Sequence, residues 1–282
     1  MSISKTTVFS NSWIALAAAS STLLAFLLYQ PQLSIETAPL GLLFFSTLAR
    51  YNIISFTLPD NVTGEKFLFM KKHRKVLKVV FIIAIIISIY FACQLTFAQL
   101  LFLSHLALLT LWYIFPLPLG FRTLKPLRKL PFLKIFLIAY VWAGSTYVMP
   151  LFQEVPLNSD FALGFIERFL FLFSITIPFD IKDYEDDKRL KLSTIPNVYG
   201  IKTAKITASL CLVACLVISS LIYPPSIGIG LISSYLITWP FIWFSSPKKN
   251  DLYFLGWIDG TMIWQCCLVY LSSEYLPMLI NN

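Results

Sequence analysis

The sequence predicts an all-α, polytopic membrane protein of about nine transmembrane helices, forming a single domain over residues 1–282. Only 13% of the residues are charged and the mean hydropathy is +0.75, whereas soluble domains carry about 25% charged residues. Apolar runs long enough to cross a bilayer core of about 30 Å recur along the chain. Lys and Arg, in turn, are concentrated in alternate connections between these runs.

Nine apolar runs are the candidate spans, and neither strand alternation nor a glycine-rich phosphate loop occurs among them. The first run has a competing interpretation as a signal peptide, because Lys5 precedes an apolar core. Its length and the lack of a small-residue cleavage site before Gln30 favour a retained span. The predicted spans are 12–29, about 38–58, 77–94, 96–115, 132–150, 160–179, 203–221, 226–245 and 253–277.

The positive charges are distributed by connection. Arg50 and Arg168 lie inside apolar stretches, and every other Lys and Arg lies at Lys5 or within 59–78, 116–134, 180–205 and 246–251. This alternation follows the positive-inside rule. We therefore expect a cytoplasmic N-terminus and an external C-terminus in the bacterial inner (cytoplasmic) membrane. The net charge of +8 then indicates topology, and it does not predict binding to nucleic acid.

An acidic segment follows the sixth run, at the start of the stretch from Pro178 to Gly200. If the preceding helix continues, Asp180, Asp183 and Asp187 are spaced i, i+3 and i+7 and share one face. These carboxylates would repel one another at the negative end of the helix dipole, so a cation is expected beside them. Carboxylate oxygens suit Mg²⁺, especially an ion shared with a substrate phosphate. The alternative is a solvated loop balanced by its own basic residues, Lys182, Lys188, Arg189 and Lys191.

The same segment resembles a known family motif. Its pattern DxxDxExD, followed by T-x-P-x-x-x-G, resembles the second Asp-rich motif of the UbiA superfamily of intramembrane prenyltransferases. The resemblance implies about nine helices around a central cavity, with Mg²⁺ as cofactor and with Asp180, Asp183 and Asp187 as its ligands. The residues that match are Asp180, Asp183, Glu185, Asp187, Thr194, Pro196 and Gly200.

The first motif of that family, NDxxDxxxD, is incomplete in this chain. Laid from Asn52 it reads NIISFTLPD, so Asn52 and Asp60 match while Ile53 and Phe56 replace two acids. Asn52 and Asp180 would be counterparts in two similar halves, and we expect them to face each other across one pocket. The alternative for Asn52 is a buried amide bonded to a neighbouring helix. Asp60 follows a proline that would kink or end its helix.

Basic residues in the fourth connection are candidates to offset the charge of a diphosphate. Arg122 and Lys125 lie there, and the alternative is that they only set topology. The resemblance implies a Tyr and Lys/Arg cluster after the fourth helix, to which Tyr113 and Lys125 correspond. We therefore assign substrate binding to a candidate set of five residues: Asn52, Asp60, Tyr113, Arg122 and Lys125.

Four ionisable residues inside the predicted spans need partners, because an unpaired charge in the bilayer costs at least about 3 kcal/mol. Glu167 and Arg168 are adjacent and point about 100° apart on a helix, so they pair only if their side chains bend together. Arg50 and Asp259 form a second possible pair. Structural pairing and lining of the cavity are the two interpretations.

These expectations combine into a function. The resemblance implies Mg²⁺-dependent transfer of a prenyl group from an allylic prenyl diphosphate to an aromatic or lipid-like acceptor within the membrane. The missing acids of the first motif support a different class, a non-catalytic UbiA-fold protein that binds an isoprenoid or quinone. An unrelated membrane scaffold or transporter is the third alternative. The expected partners are a prenyl diphosphate, a lipophilic acceptor and membrane lipid.

The charge distribution makes a testable prediction about topology. A reporter enzyme fused to the C-terminus, active only outside the cytoplasm, should give full activity, because the basic connections keep their side of the membrane. Enzyme activity in whole cells measures this, with a fusion after residue 130 as the cytoplasmic control. An inactive C-terminal fusion, expressed as well as the control, would contradict the assignment.

Overall fold

The structure, a computed structural model, describes residues 4–29, 32–59, 64–119, 122–124, 126–127 and 130–280. Helices dominate it, as the apolar runs predict. The first half of the chain forms α1 (Lys5–Phe9), α2 (Ser12–Leu27), α3 (Thr37–Asn52), α4 (Ile54–Thr57), α5 (Glu65–Lys72), α6 (Arg74–Ala92) and α7 (Phe97–Ile114).

A short antiparallel hairpin interrupts the helices in the fourth connection, where no strand was predicted. It pairs β1 (Leu117–Leu119) with β2 (Arg122–Leu124). The second half of the chain then forms α8 (Leu133–Ala143), a π-helical turn (Gly144–Val148), α9 (Met149–Leu151), α10 (Ser159–Lys182), α11 (Tyr184–Arg189), α12 (Ile195–Tyr199), α13 (Ile201–Ile222), α14 (Pro225–Trp243), a second π-helical turn (Tyr253–Ile258) and α15 (Asp259–Ile280).

Within the described ranges, 7 helical stretches are long and apolar enough to cross a membrane. The chain is therefore an integral, multi-pass membrane protein of the all-α class, as predicted. The count of nine is not confirmed, because the helices at the predicted first and fourth spans, Ser12–Leu27 and Phe97–Tyr113, are shorter. The 7 stretches are Thr37–Thr57, Arg74–Ala92, Leu133–Leu151, Ser159–Lys182, Ile201–Ile222, Pro225–Trp243 and Tyr253–Tyr275.

Helix α2, near the N-terminus, packs against α3 and also against α15, the last helix. The indole Nε1 of Trp13 donates a hydrogen bond of 2.8 Å to the carbonyl oxygen of Gly256. A Cβ at Gly260 would lie 3.3 Å from the same indole, so a glycine allows this close approach. Helix α2 thus packs closely against the last span.

The chain also buries an ion pair between helices. Glu167 is fully buried and Arg168 is 4% exposed. Their side chains bend toward each other and form a salt bridge, which their adjacency in the sequence did not by itself predict. Arg168 Nη1 donates to Gln265 Oε1 at 2.8 Å, and the hydroxyl of Tyr235 donates to Glu167. Gln265 Nε2 in turn donates to Ser234 Oγ at 3.0 Å. This network ties α10 to α14 and α15, which favours the structural interpretation of the pair.

Removing only the arginine should therefore destabilise the fold. Arg168→Met leaves the Glu167 carboxylate buried without its partner, which should lower the free energy of unfolding by about 3–5 kcal/mol. Thermal unfolding of detergent-purified protein measures the change. The double variant Glu167→Gln/Arg168→Met, which buries no charge, should regain much of the loss. Equal stability of Arg168→Met and the unmodified protein would contradict the pairing.

Candidate functional site

Three aspartates converge on one ammonium group at the end of α10. Lys134 Nζ lies 2.9 Å from Asp180 Oδ1, 3.5 Å from Asp187 Oδ2 and 3.7 Å from Asp183 Oδ2. Lys134 belongs to the first turn of α8, and the aspartates lie at the end of α10 and in α11. The three residues predicted to share a face are therefore brought together, and a cation lies between them.

They do not converge by the predicted route. Helix α10 ends at Lys182 instead of continuing, and Asp183 at φ −84° and ψ 9° separates it from α11. The chain turns there and becomes helical again, and the N–H of Asp187 donates to the carbonyl of Asp183 at 2.8 Å. The side chains of Asp180 and Asp187 are 2% and 7% exposed, whereas that of Asp183 is 46% exposed. The cluster thus has a buried side and an open side.

The segment after the acids holds Lys134 in place. The N–H of Phe132 donates to the carbonyl of Ser193 at 3.0 Å, and the Phe132 ring stacks on Tyr199 with centroids 5.8 Å apart. The N–H of Leu192 donates to the carbonyl of Asp187 at 2.9 Å. Residues 192–199 therefore fix the start of α8 against the acidic segment.

The glycine of the T-x-P-x-x-x-G pattern has a backbone role. Gly200 lies between α12 and α13 with φ +89°, a conformation that side chains with a Cβ rarely adopt. A Cβ there would meet nothing within 4 Å, so the requirement is conformational and not steric. Thr194 and Pro196 are buried at the start of α12. This part of the motif thus serves to shape the connection that positions Lys134.

One ammonium does not balance three carboxylates. Lys134 Nζ and Asp180 Oδ1 form a close ion pair of 2.9 Å, and among the described residues this buried oxygen accepts no further hydrogen bond. Burial raises the pKa of Asp183 above its ordinary value, Lys134 and Lys182 oppose the shift, and the carboxylate of Asp187 adds to it. The three carboxylates of the cluster therefore carry more negative charge than the one ammonium group between them.

Divalent metal ions match the chemistry of this donor set. Hard carboxylate oxygens are the ligands that Mg²⁺ prefers, and within the described residues Asp180 Oδ1 is held only by its ion pair with Lys134. In the part of the chain that is described, no group of three or more His, Cys, Asp or Glu side chains is arranged to hold an ion as it stands. The ammonium of Lys134 lies at the centre instead, so an ion needs that side chain to move.

A small cavity adjoins the cluster. Its volume is about 50 Å³, and Lys134 and Asp180 line it together with Lys191, Ser193 and Thr194. A space of this size holds an ion or a few waters. It is too small for a prenyl chain.

The remaining acids of the segment lie outside the cluster. Glu185 is exposed, and Asp186 pairs only loosely with Arg189 at 3.7 Å, with side chains 77% and 78% exposed. Asp186 thus lies apart from the ammonium that the three aspartates share. Asp186 therefore provides a matched control for its neighbours.

Asn52 is fully buried and has a full set of hydrogen bonds. Its Oδ1 accepts from Asn11 Nδ2 at 3.0 Å, and its Nδ2 donates to the carbonyls of Ser10 at 3.1 Å and Leu48 at 3.0 Å. Among the described residues, no hydrogen bond joins it to Asp180 or to the other two aspartates. These contacts correspond to the alternative of a buried structural amide, and a role of Asn52 in substrate binding stays a prediction.

The positions that replace the family's acids carry exposed apolar side chains. Ile53 and Phe56 are 46% and 40% exposed. The Phe56 ring meets Phe81 edge-on, and Lys78 Nζ lies 4.8 Å from its centroid. Arg74 donates a hydrogen bond of 3.1 Å to the carbonyl of Phe56. A basic group therefore lies at the C-terminal end of α4, where helix carbonyls favour positive charge.

The other predicted substrate residues are placed only in part. Asp60 and Lys125 lie outside the described residues, and of Arg122 only the backbone is described, in β2. Tyr113 lies half-buried near the end of α7. Their roles stay predictions.

Two basic residues counted only as topology-setting charge have neighbours of functional interest. Lys134, already described, is the first. Lys66 is the second: burial lowers its pKa, and the carboxylates of Asp259 and Asp251 act against this. Asp259 therefore has Lys66 as a neighbouring positive charge, and its pairing with Arg50 stays a prediction. No sequence signal distinguished either lysine, because each belongs to a generally basic connection.

Comparison with known proteins identifies the fold. No family model matches the chain. A curated relative, the digeranylgeranylglyceryl phosphate synthase of Pyrococcus horikoshii, is 32% identical over 133 residues, which span 45% of this chain and 46% of that protein. The matched segment is thus about half the length of the relative.

Solved structures match over nearly the whole chain. A UbiA homologue from Archaeoglobus fulgidus bound to GPP and Mg²⁺ superposes with a TM-score of 0.63 at 13% identity, covering 96% of this chain and 100% of that one. The apo UbiA homologue from Aeropyrum pernix gives a TM-score of 0.56 at 14% identity, covering 99% and 100%. The resemblance to the UbiA superfamily is therefore confirmed in the fold.

The contacts of Asn52 give a prediction that separates structure from site. Asn52→Leu should lower the free energy of unfolding by about 1–3 kcal/mol, because Asn11 loses a buried hydrogen-bond partner. Thermal unfolding in detergent measures the loss. Ser55→Ala is the matched control and should change stability by less than about 0.5 kcal/mol, since the buried Ser55 hydroxyl has no hydrogen-bond partner among the described residues. A stable Asn52→Leu protein would contradict the structural role.

Proposed function

We propose that this chain, which has the UbiA fold, transfers a prenyl group from an allylic prenyl diphosphate to a lipophilic acceptor within the membrane. The observation that carries the proposal is the convergence of Asp180, Asp183 and Asp187 around a single cationic centre. The fold of a UbiA homologue bound to GPP and Mg²⁺ supports it. The acceptor is an aromatic or lipid-like nucleophile.

The aspartates are the proposed ligands of a divalent ion. Asp180 and Asp187 would hold it from the buried side, and Asp183 from the open side, where a diphosphate can approach. When bound, the ion supplies Lewis-acid stabilisation of the leaving diphosphate. The chain itself orients the diphosphate at the end of α10 and leaves the prenyl tail to apolar surroundings, which exclude water that would otherwise capture a carbocation.

We further propose an orientation for the molecule, as a single domain over residues 1–282. The site lies at the basic connection that begins at residue 180, and the positive-inside rule assigns that connection to the cytoplasm. The N-terminus would be on the same side, in a bacterial inner membrane. A water-soluble prenyl diphosphate head group would then reach the aspartates from the cytoplasm.

A second candidate function has its own supporting observation. The amide of Asn52 is occupied by Asn11, Ser10 and Leu48, and apolar Ile53 and Phe56 stand where the family's first motif has acids. A site with a single acidic motif suits fewer ions than one with two. The second candidate is therefore a non-catalytic protein that binds an isoprenoid or quinone.

Release of pyrophosphate distinguishes the two functions. Purified protein in detergent, given Mg²⁺, geranyl diphosphate or geranylgeranyl diphosphate and an extract of membrane lipids as acceptor, should release pyrophosphate in a coupled colour assay. Asp183→Asn should lower the rate and the Mn²⁺ affinity at least tenfold, a change of about 1.4 kcal/mol. Asp186→Asn removes the same charge from an exposed position and should change both by less than about twofold.

Two results would contradict the proposal. Equal effects of Asp183→Asn and Asp186→Asn would indicate a solvated acidic loop. Binding of prenyl diphosphate without any release of pyrophosphate would instead favour the non-catalytic function.

A further inference from the structure

We propose that Lys134 is a built-in counter-cation that competes with the divalent ion for the three aspartates, so that ammonium and metal occupy the same position in turn. The inference rests on the proposed metal site and adds to it a means of control. It assigns to Lys134 a positioning role that its place in a basic connection does not suggest.

The geometry of the cluster supports a single cation position. Lys134 Nζ lies 2.9 Å from Asp180 Oδ1 and 3.5 Å from Asp187 Oδ2, both on buried carboxylates. A Mg²⁺ ion needs its oxygen ligands at about 2.1 Å. An ion held by both of these oxygens would lie where the ammonium now lies, with the carboxylates drawn inward. Two cations cannot share that space, because they repel each other strongly where water is scarce.

The side chain of Lys134 is able to leave. Its side chain is 25% exposed, and the lysine stem has four flexible carbons. The backbone beside it is held independently, by the hydrogen bond from the Phe132 N–H to Ser193. Lys134 can therefore change rotamer without disturbing the start of α8.

A displaced ammonium needs another anion. A diphosphate that shares the metal ion would supply it at the open side of the cluster, next to Asp183. Metal alone must therefore displace Lys134 without compensation, whereas metal together with a diphosphate offers the lysine a new partner. Metal and diphosphate should accordingly bind cooperatively, and each should increase the affinity of the other by the same factor.

An ordinary ion pair elsewhere in the chain shows the contrast. Lys182 lies 2.7 Å from Asp251 in a one-to-one pair and is adjacent in sequence to Asp183. Its charge also acts on Asp183, but its ammonium does not lie between the three aspartates. Lys182→Met thus removes the same charge next to Asp183 in the sequence, from an ammonium that pairs with Asp251, without opening the cation position.

Titration of the metal-free, full-length protein in detergent with Mn²⁺ alone tests the competition. Lys134→Met should bind Mn²⁺ at least tenfold more tightly than the unmodified protein, as followed by electron paramagnetic resonance of free Mn²⁺. Lys182→Met should differ by less than threefold, and Lys134→Arg, which keeps a cation, should resemble the unmodified protein. If Lys134→Met does not fold, Lys134→Gln makes the same test.

Chemical labelling gives a direct reading on the unmodified protein. An ion-paired ammonium resists acylation, so Mn²⁺ should increase the acetylation rate of Lys134 several-fold, measured by mass spectrometry of peptides. Lys182 in the same sample is the internal control and should not change. Inorganic pyrophosphate added with Mn²⁺ should protect Lys134 again, because the diphosphate engages the freed ammonium.

The proposal fails if Lys134→Met binds Mn²⁺ no more tightly than the unmodified protein, or if Mn²⁺ leaves the labelling of Lys134 unchanged. Absence of Mn²⁺ binding in every variant would overturn it as well. None of these readings depends on turnover. A protein that releases no pyrophosphate would therefore contradict the prenyl-transfer proposal and leave the competition between Lys134 and metal standing.

Discussion

The contact of one lysine with three aspartates is the interaction on which the functional end of the molecule depends. Carboxylates gathered at the end of a helix repel one another and oppose the helix dipole, so the fold must bring a positive charge to them. It does so by fixing the first turn of α8 against residues 192–199, through the backbone contact of Phe132 with Ser193 and the ring contact with Tyr199. Residues 192–199, which follow the acids, thus help to place the ammonium of Lys134 beside the three carboxylates.

The need to pair buried polar groups also explains two other polar contacts of the interior. Glu167 and Arg168 satisfy each other and tie α10 to its neighbours, and Asn52 uses its amide on the start of α2. An unpaired polar group among apolar helices costs several kcal/mol. Asn52 and Asp180 differ in how they are satisfied. Both amide atoms of Asn52 form hydrogen bonds, whereas Asp180 Oδ1, among the described residues, has only its ion pair with Lys134.

That asymmetry has a chemical consequence. A divalent ion would be held mainly from one side, by residues at the end of α10 and in α11, with Lys134 as the nearest basic group. Where a site has fewer acids to hold metal, a mobile ammonium can supply part of the positive charge that a diphosphate needs. The position of Lys134 and the smaller number of acids at Asn52 to Phe56 would then both follow from a site that holds a diphosphate with less metal.

The sequence alone determined the class of the protein, because apolar length and the placement of Lys and Arg depend only on the bilayer. It also predicted that Asp180, Asp183 and Asp187 lie together, since their spacing and the pattern up to Gly200 are local features. Only the tertiary structure decided which cation lies among them, because Lys134 comes from a span more than forty residues away and resembles any loop lysine. It likewise decided that α10 ends at Lys182 and that Asn52 bonds to Asn11, since both depend on contacts between helices, which no local pattern encodes.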